Sequence, residues 1–199
     1  MAGAWGDAFD RHLAVLFSGL TREDILARYG WVEEYAKMAE ELLSPGNLAD
    51  MPPHRIYSSL DAINVPKCQV RMTNLGRVND AEQVIGGITA LLAKPGDFSA
   101  KYKAGKIPQA GTVALTQILT LARPDRFAIR NAPLTRALAR QVPLYSARAL
   151  DELGYEEFLD ICRELTRVVE ARLKPLGLGE WALRYRFLLL YAILVVPVK

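Results

Sequence analysis

Residues 107 to 119 read IPQAGTVALTQIL. Pro108 and the small residues Ala110 and Gly111 make a turn, and Ala114, Ile118 and Leu119 then repeat at helical spacing. Lys101, Lys103 and Lys106 stand in front of the turn, and Arg123, Arg126, Arg130, Arg136 and Arg140 follow the helix. A helix that opens at a tight turn inside a run of cations raises two questions. One is what fold surrounds it, and the other is what the positive charge meets.

The flanking sequence answers the first. Ala8, His12, Leu13, Leu16 and Phe17 repeat at helical spacing, which puts His12 on the apolar face and predicts a core histidine. TREDILARYG (21–30) opens on Thr21, carries Asp24 three residues on and stops at Gly30, the pattern of a capping box and a glycine stop. WVEEYAKMAEELL (31–43) is amphipathic, with Val32, Tyr35, Met38, Ala39 and Leu42 on one face. SPGNLADMPPH (44–54) reads as a loop. NVPKCQVRMTNLGRVND (64–80) is the least helical stretch, an extended loop or a short strand near 65–75. Helix resumes from an Asp80 cap, breaks at KPGDFSAKYKAGK (94–106) with at most a turn of helix, and runs again from 111 to 122. RPDRFAIRNAP (123–133) reads as a loop, LTRALARQ (134–141) as a short helix and YEEFLDICRELTRVVEARLKPLG (155–177) as a long amphipathic one. Its apolar face carries Phe158, Ile161, Cys162, Leu165, Val168, Val169 and Leu173. The expectation is an all-α fold, a compact multi-helix domain over residues 1–199.

Composition narrows the function classes. At 199 residues, 51% hydrophobic and 24% charged, the chain can bury a good core and is no disordered tail. Cys68 and Cys162 make no disulfide framework, and with His12 and His54 they form no zinc motif, so neither metal nor cofactor is expected. MAGAWGDAFDRHL has early acids and no apolar stretch, so it is no signal peptide, and the expected location is cytoplasmic. FLLLYAILVVPV (187–198) is too short to span a bilayer and is expected as a buried helix. Its place at the end reads as the edge of an N-terminal piece of a longer protein, docking a further domain. Paired acids such as Glu33–Glu34 and Glu40–Glu41 read as solvated helix faces rather than acid–base dyads.

The net charge is only +3, but residues 98 to 148 carry nine basic residues against the single acid Asp125. Such a block is the electrostatic footprint of a polyanion partner. Arginine's planar fork suits phosphate, which fits Arg123, Arg126, Arg130 and Arg136. The alternative is a solvated face with Asp125 paired locally. Lys101, Lys103 and Lys106 interleave with Tyr102, an arrangement that holds a backbone and stacks a base, or else makes a surface lysine loop.

Residues 107–111, Ile-Pro-Gln-Ala-Gly, resemble the turn of a helix-hairpin-helix element, in which small residues let backbone N–H groups approach a DNA phosphate at a helix N-terminus. Gln109 departs from the usual glycine. The resemblance implies DNA contacts at Gln109, Gly111 and Thr112. RPDRFAIRNAPLTRAL (123–138) resembles the segment after this hairpin in helix-hairpin-helix DNA glycosylases. Counted from the turn glycine, Asn131 stands where their catalytic aspartate falls, and Val113 stands where the bifunctional enzymes carry a lysine. An amide replaces neither the carboxylate base nor its charge, so no catalysis is expected in this chain. Asn131 reads either as a DNA contact or as the cap of the helix that begins near Pro133.

Over residues 80 to 196 the chain also resembles the helical region ahead of the ATPase module in McrB-type modification-dependent restriction proteins. The resemblance is carried by RPDRFAIRN, by LGYEEFLDICRELTRVVEARL and by the closing YRFLLLYAIL. It implies a targeting module that contacts double-stranded DNA beside an AAA+ ATPase domain. No GxxxxGK[ST] occurs here, so that motor lies outside this chain. Trp5, Trp31 and Trp181 read as core residues or as the lining of a pocket for a flipped base. Two alternatives remain beside DNA targeting: a glycosylase-like repair protein, and a protein-interaction module.

Overall fold

The structure, a computed structural model, describes residues 3–68, 75, 79–141 and 145–196, with side chains from residue 6. Every regular element among the described residues is helical, as expected. Most of the 65–75 stretch, the candidate strand, lies outside the described residues.

Helix α1 (Gly3–Leu16) buries Phe9 and Leu13, and α2 (Arg22–Tyr29) starts on the expected capping box. Asp24 N donates to Thr21 Oγ1 at 3.2 Å, and Thr21 N donates back to Asp24 Oδ2 at 2.9 Å. One expectation fails here and one is refined. His12 is exposed and stacks on Phe9 at 6.2 Å, because the buried face is centred on Phe9 and Leu13 and position 12 falls at its edge. Helix α2 stops at Gly30 as expected, but Gly30 caps it with right-handed angles (φ −60°, ψ −25°) rather than left-handed ones and at once opens α3 (Trp31–Leu42). The α3 face turns inward on Val32, Ala36 and Ala39, which leaves Met38 exposed.

The stretch read as a loop at 44–54 contains a helix, α4 (Pro45–Asp50). Ser44 caps it by accepting from Asn47 N at 3.3 Å, and Pro45 sits at the first helical position, where its missing N–H costs nothing. After a 3₁₀ turn (Pro53–Arg55) come α5 (Ile56–Ala62) and α6 (Ala81–Ala93), the latter capped by Asp80. The break at 94–106 holds α7 (Phe98–Ala104), and α8 (Thr112–Ala122) follows. Then come α9 (Ala132–Gln141), α10 (Ala147–Glu152), α11 (Tyr155–Leu173), α12 (Gly179–Arg184) and α13 (Arg186–Val195).

Two helices form the centre. Ala114 to Leu121 of α8 are all buried, and Phe187 to Ala192 of α13 are at most 1% exposed. Helix α13 packs against α2, α3, α8, α9, α11 and α12, and α8 against α3, α6 and α13. Each buried Leu or Phe contributes about 1.5–3 kcal/mol, so these helices supply much of the hydrophobic driving force. A helix buried all round must also satisfy its polar side chains. On α8, Thr120 Oγ1 donates to Thr116 O at 2.7 Å and Gln117 Nε2 to Asn64 Oδ1 at 2.7 Å, while Gln117 Oε1 is buried with no partner among the described residues. Among the described residues no helix is long and apolar enough to cross a membrane.

Candidate nucleic-acid interface

The turn between α7 and α8 is held from three sides. Ala110 N donates to Ile107 O at 3.1 Å, closing a four-residue turn with Pro108 second and Gln109 third. Gln109 has φ +57°, the left-handed region where glycine is favoured. The departure noted in the sequence thus sits at the one strained position of the turn. Asn79, buried, donates from Nδ2 to Pro108 O at 3.0 Å and to Leu75 O at 2.9 Å. Helix α6 then packs flush against the turn. A Cβ on Gly87 would lie 2.2 Å from Ile107 Cγ1, and one on Gly105 would lie 2.8 Å from Leu91 Cβ. Only glycines allow that approach.

Gly111 caps α8 with extended backbone, and no side chain bonds to the first-turn N–H groups. Gly111 and Gln109 are exposed and Thr112 is half-buried. The partial positive charge of the helix end therefore faces outward. Beside it lies a hollow of about 450 Å³ lined by Tyr102, Lys103, Lys106, Pro108 and neighbouring backbone, with no carboxylate in its wall. Tyr102 is 44% exposed, its ring tilted against Phe98 at 5.6 Å. Lys103 and Lys106 are exposed. Among the described residues neither has a carboxylate within 4 Å.

The remaining cations of the block do not join this corner as a single patch. Lys101 turns inward, 7% exposed, and its ammonium donates to Leu91 O at 3.2 Å, Leu92 O at 3.3 Å and Lys94 O. It caps the C-terminal end of α6, where a cation is favoured. Burial lowers its pKa, and the nearby Arg126 and Arg123 lower it further. With three N–H groups on three carbonyls, Lys101 has no proton left for a phosphate. Arg130 is held through one nitrogen, Nη2, which carries two of its five N–H groups. Its guanidinium donates to Leu150 O (3.3 Å), Asp151 O (2.7 Å) and Leu153 O (2.6 Å) at the end of α10, and lies over the Phe158 ring at 5.5 Å.

Asn131 is 3% exposed. Its Oδ1 accepts from Leu134 N at 2.9 Å, capping α9, and its Nδ2 donates to Tyr191 Oη at 3.2 Å. The structure gives it the cap reading and removes it from any surface. Arg123 is exposed and pairs loosely with Asp125 at 3.6 Å. Arg126 and Arg136 are exposed, with no carboxylate within 4 Å among the described residues. Val113 is half-buried in the first turn of α8.

The loop that carries Arg123 to Asn131 is pinned rather than free. Phe127, Ala128 and Ile129 are buried. Tyr155 Oη donates to Ala128 O at 2.8 Å, Arg130 N donates to Thr116 Oγ1 at 3.1 Å, and Phe187 N donates to Pro124 O at 3.1 Å. Sequence reasoning missed Arg184 and Arg186, which join Arg123 around a second hollow of about 650 Å³. Glu40, Asp125 and Glu180 line it too, so its charge is mixed. Only the fold brings α12 beside that loop, so no local pattern announces it. Trp31 lies edge-on to Tyr35, and Trp181 donates from Nε1 to Glu33 Oε2 at 3.1 Å. Both are half-buried, and neither lines one of these hollows; the Trp5 side chain lies outside the described residues.

For covalent chemistry the corner offers little. Cys162 is fully buried, and burial pushes its thiol pKa up, away from the thiolate a nucleophile needs. No group of three or more metal-ligating side chains occurs among the described residues. What the corner can offer an anion is two exposed ammonium groups and the backbone N–H groups that open α8. Comparison of the chain with family models, with curated proteins and with solved structures finds no match to any of them.

Proposed function

We propose that this chain is a DNA-binding module that grips the phosphate backbone at the α7–α8 turn. The observation that carries the reading is a hollow lined by Lys103 and Lys106 with no carboxylate in its wall, on the same turn whose last residue, the exposed Gly111, starts α8 without a side-chain cap. Phosphate suits it twice over, since the lysines neutralise charge and backbone N–H groups at a helix N-terminus donate directly. Gly111 leaves the approach open, because a Cβ there would meet nothing within 4 Å. The contact set is thus Lys103, Lys106, Gln109, Gly111 and Thr112, with Tyr102 as a stacking surface beside them. Lys101 and Asn131, both buried, drop out as contacts and hold the frame instead, and Arg130 is tied to the end of α10 through Nη2. The restriction context, a targeting module beside an AAA+ ATPase, is proposed on the sequence resemblance of residues 80 to 196 alone.

The test is binding of duplex DNA, plain and methylated, across about 50–200 mM salt, for the parent chain and for Lys103→Gln/Lys106→Gln. Counterion release gives a log–log slope of about −0.9 per phosphate contact, so the double variant flattens the slope by about 2. Tighter binding of methylated duplex supports the restriction context. Absence of binding at the lowest salt, or a slope that the variant leaves unchanged, rejects the reading.

A further inference from the structure

A second site stands on the other side of α7, where Lys101 turns inward. Between α3, α4, α6 and the end of α8 lies a hollow of about 460 Å³. Its wall is apolar, built on Leu43, Leu48, Leu92, Leu119 and Phe127, and Arg123 and Arg126 stand on it with Lys101. A volume of this size suits a small organic ligand, and a mostly apolar wall with a few convergent polar groups is what such sites share.

The charges select the ligand further. Three cations stand close enough that the two arginines depress the Lys101 pKa. The nearest acids are Asp125, 3.6 Å from Arg123, and Glu40, which lines the hollow from α3. Arg126 has no carboxylate within 4 Å among the described residues; its guanidinium lies 5.9 Å from the Phe127 ring centre. Lys101 supplies field without a free hydrogen, so direct bonds to an anion fall to the two arginine forks. A fully hydrophilic anion would leave the accessible apolar lining, Leu92, Ala93 and Ala122, wet, and a neutral apolar molecule would leave the arginines unused.

We infer that this hollow binds an amphiphilic carboxylate, with its head on Arg123 and Arg126 and its apolar body against Leu92, Ala93 and Ala122. The site is independent of the DNA reading and is tested without DNA. Octanoate and octanol are titrated into the intact chain, following Tm and amide signals. Octanoate is expected to bind saturably and at least tenfold tighter than octanol. Arg123→Gln/Arg126→Gln, two exposed positions, erases that preference and leaves octanol binding unchanged. Ala93→Trp, on the exposed lining, weakens both ligands with the fold intact. Lys103→Gln/Lys106→Gln leaves both affinities alone. Equal affinity for acid and alcohol, no saturable binding of either, or a preference that survives the double arginine variant would overturn the inference.

Discussion

Lys101 and Lys103 stand two residues apart on the same short helix, yet they face opposite fates. Lys101 is drawn into the protein by the carbonyls at the end of α6, whereas Lys103 is exposed and meets no carboxylate within 4 Å among the described residues. The same contrast separates the two basic regions as wholes. The 123–131 loop spends Arg130 on the end of α10 and half-pairs Arg123 with Asp125. The α7–α8 corner keeps Lys103 and Lys106 outside, with no acid in the wall of the hollow they line. Charge in a sequence is a local count. Whether it reaches a partner depends on which orphan carbonyls and carboxylates the fold brings opposite it.

The comparison breaks most readily at Arg130. Arg130→Ala strands three carbonyls and uncovers Phe158, so it should cost about 2–4 kcal/mol of stability by denaturant unfolding, against almost nothing for Arg136→Ala. Equal, small losses at both would show that Arg130 is a surface residue after all. Next comes Lys101→Met, which keeps the stem and removes the cap of α6. A loss of about 1–3 kcal/mol is expected, while Lys103→Met stays within about 0.5 kcal/mol.

Two smaller effects sharpen it. Gln109→Gly relieves a left-handed residue, and a gain of about 0.5–1 kcal/mol in stability is expected with DNA affinity retained. Loss of stability there would mean that the Gln109 side chain holds the turn. The smallest effect concerns a cation that already has its acid. Arg172 donates to both Asp10 oxygens and, first among the causes, holds the Asp10 pKa below its ordinary 3.8. A depressed carboxylate stabilises above its unfolded value and loses that contribution as pH falls through its folded one. Asp10→Asn should therefore narrow the stability gap between pH 5 and pH 3 by only a small amount, since both partners are well exposed. A gap identical to the parent's would show the pair to be idle.

Much of the frame was legible in the sequence. Periodicity located α1, α3, α8 and α11, and the apolar run at 187–198 announced the buried α13, whereas α7 lay in a stretch read as a break with a turn of helix. Asn131 two residues before Pro133 announced a cap, and Thr21 with Asp24 a capping box. Helix α4 was equally legible in Ser44–Pro45, but prolines and a glycine around it read as loop. The site was less legible, for a physical reason. Spacing on α7 cannot say that α6 ends beside position 101, nor spacing in the loop that α10 ends beside position 130. Those are tertiary facts, and they decide which of the eleven candidate residues face a ligand.

The most direct measurement follows the backbone amide signals while a short duplex is titrated in at low salt. The account predicts that the largest movements fall on residues 105–113, with Gly111 and Thr112 foremost, and that the 127–131 backbone stays still. Movements centred on residues 123–131 with a silent turn would contradict it, and would return the DNA contact to the arginine loop.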